Sequence, residues 1–412
     1  MEIYNKRIAN DNGNGEHKII INGAFYRYPN TYKALHNVRQ DIDETVESAI
    51  HKLEDRIEVE ITSKALQKEV GTKRYFIGKV AVQTGGSGST TMNIRNVKKH
   101  EEDLPIVNTL GIVAVDAVKE HYQKVGNLQD AETIEVVCDM STALPVYIFS
   151  EEAEKFFAER FMNHVHQVRV YVANITVNVK ITFRYVRVLR EGIPALFNII
   201  ENGQKKYRSD SMFDKFKEEY EKPDVTGKYF TEKRMLHVDI GSGTTELVYT
   251  TGYKPNIDMS TGEEFGIGQA IENSIPVLKK KLTGVKLHRQ IVGEYLRDKN
   301  ADFHAVAQEC LVGPKQQTAN ELFDLIENHV QNIGYQVDVI SVYGGGSILL
   351  NDVLYNMLVE YYKNTPKKIE VLWIPEEFAV EMNARGLEIY NEAKMDDLIK
   401  SLAVEEVAAS KE

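Results

Sequence analysis

The sequence predicts an α/β protein of two related lobes, each carrying an inserted subdomain. Three observations predict it. Two stretches, Asp11-Asn12-Gly13-Asn14-Gly15 and Asp239-Ile240-Gly241-Ser242-Gly243-Thr244-Thr245, look like copies of one device, spaced by slightly more than half of the 412-residue chain. Each sits between two apolar, strand-like runs: Tyr4–Ile8 and Lys18–Asn22 around the first, Met235–Val238 and Leu247–Thr250 around the second. A third glycine turn, Gly344-Gly345-Gly346-Ser347, joins a buried-looking strand to a helix. An Asp at a strand end followed by glycines makes a hairpin whose turn bares backbone N–H groups, a natural phosphate cradle. Such an Asp can hold Mg²⁺ through water, since Mg²⁺ prefers carboxylate oxygens and keeps much of its hydration.

Taken in order, the first hairpin leads into a mixed insertion at 23–104. Ile42, Val46, Ile50 and Leu53 give helical spacing over 41–53, and strand-like runs follow at 56–61 and 75–81. Leu104-Pro105 introduces a helix at 107–125. Strand-like runs at 132–138, 144–147, 168–173 and 175–189 surround a charged helix at 151–162. Residues 200–234 are polar, with Pro223 and Gly227, and suggest a loop-rich crossing between halves. The second half repeats the order of hairpin, strand and insertion, the last at 259–334, with helices at 268–282, 286–296 and 316–333. A strand at 336–342, the third glycine turn, a helix at 349–363, a strand at 368–374 and a helix at 376–393 complete it. The expected domains are 1–225 and 226–375, with the helix at 376–393 packing on the first and 394–412 a tail.

Composition sets bounds. A chain this long can build two or three domains with sizeable cores. A formal charge of −11 argues against direct wrapping of nucleic acid or an anionic membrane surface. Two distant cysteines, Cys138 and Cys310, fit neither a disulfide scaffold nor a zinc site, and suit a reducing cytoplasm. No leader-like segment opens the chain and no apolar run is long enough to span a membrane. A cytoplasmic protein is expected.

Several groups take the plainer reading. Gly85–Thr91 lacks the Gly-Lys-Ser/Thr of a phosphate loop and reads as a flexible loop. His121, His164 and His166 have no companion acids at ligand spacing. Lys279-Lys280-Lys281 reads as a helix's wet face, and Tyr361-Tyr362 as packing.

The order Asp11-x-Gly13-Asn14-Gly15-x-x-Lys18, Asp239-x-Gly241-Ser242-Gly243-Thr244-Thr245, then Gly344-Gly345-Gly346 resembles the actin-type ATPase superfamily, whose nucleotide motifs are called phosphate-1, phosphate-2 and adenosine. Within it the chain looks most like the bacterial plasmid-segregation actins, the ParM family. Phe76–Ala81, Leu144-Pro145-Val146, Glu191-Gly192-Ile193-Pro194-Ala195 and Asn383-Ala384-Arg385-Gly386 agree.

The resemblance implies an actin-like two-domain fold that binds ATP, with GTP as the alternative, together with Mg²⁺. Asp11 and Asp239 would hold the metal's waters, and Lys18 would reach the phosphates. Backbone around Asn12, Gly13, Asn14 and Gly15, and around Gly241, Ser242, Gly243, Thr244 and Thr245, would cradle them, with a Thr244 or Thr245 hydroxyl assisting. Gly344, Gly345, Gly346 and Ser347 would face the adenosine. Glu191 follows the strand at 175–189 where the family puts the residue that positions the attacking water, a role suited to a chemistry of positioning and charge neutralisation. Asn10 and Asn12, flanking Asp11, depart from the family's commoner pattern. The implied activity is ATP hydrolysis coupled to polymerisation, with self-association into a filament and plasmid DNA held by a separate DNA-binding adaptor. The alternatives are a sugar- or acetate-type kinase using Glu191 as base, a chaperone ATPase, disfavoured because only a short tail follows Ala393, or a cytoskeletal relative not tied to plasmids.

Overall fold

The computed structural model describes residues 3–409 apart from 38, 41, 69, 86–87, 93–97 and 130–132. Contacts divide the chain into two units. The first comprises residues 1–144, 148–189 and 390–412, the second 145–147 and 190–389. Among the described residues no helix is long and apolar enough to cross a membrane.

The strands of the first unit are β1 (Ile3–Asn12), β2 (Glu16–Ile21), β3 (Ala24–Pro29), β4 (Thr31–Leu35), β5 (Ile57–Thr62), β6 (Thr72–Ile77), β7 (Ser89–Thr91), β8 (Ile134–Leu144), β9 (His166–Val172) and β10 (Ile175–Arg190). They form one sheet in the order β3-β2-β1-β8-β10-β9-β5-β6-β4-β7. Its outer hairpin β1–β2 is antiparallel, and β1 runs parallel to β8. The helix Leu104–Val125 buries almost its whole N-terminal half, starts with Pro105 in its first turn and stops at Gly126 in the left-handed region. It lies against β5 and β9. Ser150 caps the helix Glu151–Met162, accepting from the Ala153 amide at 3.1 Å, with three glutamates in the first turn to suit the helix dipole.

The second unit contributes β11 (Arg234–Ile240), β12 (Thr245–Thr251), β13 (Lys254–Glu263), β14 (Val339–Tyr343) and β15 (Glu370–Trp373), ordered β13-β12-β11-β14-β15. Here too an antiparallel hairpin is followed by a parallel neighbour, β14, across a helical crossover. The order third–second–first–next strand is therefore built twice, and both hairpins carry a glycine turn. In β11 and β14 the burial is near continuous, as suits strands covered on both faces.

Several expected elements differ. The run at 75–81 ends as a strand at Ile77, because Gly78 turns into the left-handed region and a helix, Lys79–Gly85, follows. The end of the Gly85–Thr91 stretch is β7, and residues 86–87 lie outside the described residues. Beyond Leu144, Pro145 interrupts the ladder and Val146–Ile148 forms a 3₁₀ turn. The helix expected from 316 begins at His304 and runs through Pro314 to Asn332. The segment 349–363 contains a π turn at Asn351–Tyr355. The crossing between units falls after Leu189 rather than near 225, and 376–389 belong to the second unit, with Tyr390 onward in the first. The tail is helical over Asp396–Ala409 and is bolted to β1: Asn391 Nδ2 donates to the Ile8 carbonyl at 2.9 Å, and Arg7 pairs with Asp396 at 2.6 Å.

Candidate functional site

The site residues fall into two groups, one in each unit. In the first, β1 extends through Asn12, so that Asp11 lies opposite Lys18, Asn12 opposite His17 and Asn10 opposite Ile19. Alternation along the strand sends Asp11 to one face and Asn10 and Asn12 to the other. Asp11 is almost fully buried, and Lys18 Nζ lies 2.9 Å from its Oδ2.

On the opposite face the three residues Asn10, Asn12 and His17 are wholly buried. Burial, and after it the positive charges of Lys99 and Lys18, push the His17 imidazole down to about 3, so it is neutral. A neutral ring can donate from one nitrogen and accept at the other. His17 Nε2 lies 2.5 Å from Asn10 Oδ1, and Nδ1 lies 3.2 Å from Asn12 Nδ2. Asn10 Nδ2 donates to Thr109 at 3.1 Å, and Thr142 donates to the Asn10 carbonyl at 2.8 Å. Asn30 donates to Asn12 Oδ1 at 2.8 Å and to the Gly13 carbonyl at 2.6 Å, while its amide donates to the Gly15 carbonyl at 3.1 Å. Asn108 in turn donates to Asn30 at 2.8 Å.

The consequence for the turn is directional. In a trans peptide the N–H of the next residue points opposite to the carbonyl. Tying the Gly13 and Gly15 carbonyls back to Asn30 therefore turns the amides of Asn14 and Glu16 the other way. Gly13 is required by close approach, since a Cβ there would meet the Glu16 carbonyl at 3.0 Å. Its backbone is not in the left-handed region, contrary to the ordinary reason for glycine in a hairpin. The departure noted at Asn10 and Asn12 is thus an internal buttress of the turn.

The second unit repeats the arrangement with other partners. The Gly241 carbonyl accepts from the Ile267 amide at 3.1 Å and the Ser242 carbonyl from the Gly268 amide at 2.8 Å, both at the start of the helix Ile267–Lys281. The amides of Ser242 and Gly243 are turned away from that helix. Thr244 and Thr245 are both buried, and the Thr245 hydroxyl donates to the Phe265 carbonyl at 2.7 Å. In the third turn, Gly344 is left-handed (φ +93°), and a Cβ on it would come within 2.5 Å of Asp239 Oδ1. Gly346 packs as closely on Ile240, whereas Gly345 meets nothing within 4 Å and is the one glycine of the three with room beside it. Ser347 is buried and donates to the Gly344 carbonyl at 2.9 Å, which makes it part of the turn itself.

Glu191 enters through Gly192, left-handed at φ +83°, where a Cβ would collide with Val248 of β12; Tyr343 of β14 donates to the Gly192 carbonyl at 3.2 Å. Glu191 is thereby seated against the second hairpin. Two acids escaped the sequence reading, Glu246 and Glu264. Burial, and after it the charges of Glu264, Glu191 and Glu246, push the Tyr147 phenol up to about 12. Glu246, almost fully buried, accepts from the Val146 amide at 3.2 Å. A signal was present: a charge directly before the apolar run that follows the turn.

Asp239, half-buried, is held by Asn383, whose Nδ2 donates to Oδ2 at 2.6 Å. The helix bearing Asn383 approaches the Glu191 segment closely, with Gly386 in backbone contact with Pro194. Two stretches expected to matter, Glu191–Ala195 and Asn383–Gly386, therefore meet. Two of the three histidines set aside as ligands have hydrogen-bond partners in the protein: His121 bonds Tyr4 at 2.9 Å and His166 bonds Ser63 at 2.7 Å. Lys279–Lys281 are exposed, and the Tyr361 and Tyr362 hydroxyls both donate to Glu327.

Across the solved structures the whole chain has counterparts. The actin-like protein Alp7A aligns over 98% of this chain and 100% of its own, with TM-score 0.67 and 18% identity. The chain has the actin-like fold. Bacillus thuringiensis ParM, solved with ATP, aligns over 96% and 99% with TM-score 0.62 and 14% identity. The archaeal actin homologue Ta0583 aligns over 95% and 100% with TM-score 0.59 and 16% identity. Residues 237–356, which carry the second hairpin and the third glycine turn of this actin-like chain, match the family described as archaeal actin homologue MreB-like, C-terminal. No curated protein matches the sequence.

Proposed function

We propose that the chain is a ParM-type ATPase: its two hairpins close on one ATP with Mg²⁺, the protein polymerises, and hydrolysis ends the life of the polymer. The observation that carries this reading is the repeated device. In each unit a strand-end aspartate precedes a turn whose carbonyls are tied back, to Asn30 in one and to the helix at Ile267 in the other, so that amides are turned outward. Outward amides beside a carboxylate suit a phosphate chain carrying a divalent cation. Asp11 and Asp239 would hold that cation, which would neutralise charge on the phosphates. Lys18 reaches the phosphates, Thr244 assists, and Gly345 leaves space for the adenosine.

Glu191 orients the attacking water. Phosphoryl transfer asks chiefly for such positioning and for charge neutralisation. The exposed apolar residues Val277 and Val312 of the second unit and Ile3 and Val125 of the first are available to self-association. A filament needs unlike surfaces that meet without closing a ring. The cargo of such a polymer is plasmid DNA, engaged through a DNA-binding adaptor rather than directly, in keeping with the net charge of −11.

Sedimentation and electron microscopy with and without nucleotide test the reading. Filaments that pellet with ATP and Mg²⁺ and disperse as phosphate is released are expected. Monomer alone at tens of micromolar, roughly the range where weak self-association operates, would contradict it.

A further inference from the structure

Asn383 is the second residue of the helix Met382–Tyr390, 8% exposed, and its amide nitrogen donates to Asp239. That contact fixes the amide's orientation, because a carboxylate accepts and only the NH₂ can donate. The other atom, Oδ1, is buried and has no hydrogen-bond partner among the described residues. Buried amide oxygens are nearly always paired, so one without a donor marks a place where a donor belongs.

The surroundings keep Asn383 where it is. Gly386, one turn on, lies against the Pro194 carbonyl, and Arg385 is held by Glu381 at 2.9 Å and Glu388 at 3.0 Å. On its other side the Asp239 carboxylate is packed against Gly344, which cannot carry a Cβ. The carboxylate is thus clamped between an amide donor and a bare backbone, and a polar acceptor with no donor is buried beside it.

We infer that Asn383 is a positioning residue of the cation site: its NH₂ locks the Asp239 carboxylate, and its Oδ1 accepts a hydrogen bond from water carried by a hydrated divalent cation. Magnesium suits this arrangement because it retains several waters, each of which donates. Partners of this kind, one step removed from the ion, typically change metal affinity by about ten- to a hundredfold when removed. The inference rests on the nucleotide reading above.

The test is a titration of Mg²⁺ into protein holding a fluorescent ATP analogue, with a parallel measurement of analogue affinity in EDTA. In Asn383→Ala and the bulkier, apolar Asn383→Leu, each first confirmed by its melting curve to be folded, the Mg²⁺ midpoint rises by about tenfold or more. Analogue affinity in EDTA stays within about twofold of wild type, a split that a merely structural role would not produce. An unchanged midpoint in either folded variant, or an equal loss with and without Mg²⁺, overturns the inference. Failure of the wild-type chain to bind the analogue at all would instead overturn the nucleotide reading.

Discussion

Lys18 and Asp11 stand opposite each other in the β1–β2 register, with Nζ 2.9 Å from Oδ2. The lysine therefore compensates a buried carboxylate in the protein itself, in addition to its proposed reach toward phosphate. Lys18→Met should act twice. Removing one member of a buried pair costs about 3 kcal/mol, so the melting temperature without nucleotide falls. Affinity for ATP falls as well, and Asp11→Asn in the same background restores the melting temperature but not the affinity. A Lys18→Met protein that melts like wild type would contradict the first half.

Gly192, next to Glu191, packs on Val248 of the second hairpin and accepts from Tyr343 of β14. Glu191→Ala should slow phosphate release by about a hundredfold while leaving assembly intact, so that polymers persist. Light scattering and phosphate release recorded on one sample check this, and equal release rates in variant and wild type would remove the role.

The three glycines of the third turn should respond differently. Gly344→Ala puts a Cβ against Asp239 in a left-handed backbone and destabilises the fold by roughly 2 kcal/mol or more. Gly345→Ala meets nothing within 4 Å and leaves the melting temperature unchanged. If Gly345 borders the adenosine, the same substitution weakens ATP binding. Thermal melts and nucleotide titrations of the two variants separate these effects.

How much of this was legible follows from the range of each interaction. Asp11, Asp239 and the glycines announce themselves, because a turn is specified by neighbours in sequence. What tightens the turns comes from far away: Asn30 and Asn108 reach the first, Phe265 and Ile267 the second, and Asn383 reaches Asp239 across 144 positions. No local pattern marks an asparagine for such a contact. The glycines were legible as a motif but for a different reason, since Gly13 and Gly241 answer close approach rather than positive φ. Boundaries failed where one residue overrides a run, as at Gly78 and Pro145, or where a helix absorbs a proline, as at Pro314.

Acid should destabilise the protein through its buried imidazoles. Burial pushes His17 to about 3 and His166 to about 4, against 6.5 in the unfolded chain. Between those values the unfolded state binds more protons, so the stability present above pH 6.5 is lost as the pH falls toward 4 and 3. At pH 5 each contributes a loss of about 2 kcal/mol. Melting temperatures measured from pH 7.5 to 5 should fall steeply, and His166→Gln should flatten part of the slope. An equal slope in that variant would contradict the assignment.

Titration calorimetry of ATP with Mg²⁺ into wild type, Asp11→Ala and Asp239→Ala tests most directly the proposal that both hairpins hold one nucleotide. One site per chain is expected in wild type, with affinity lost by about tenfold or more in each single variant. Two sites per chain, or full affinity retained after either substitution, would mean that the hairpins do not hold the same nucleotide.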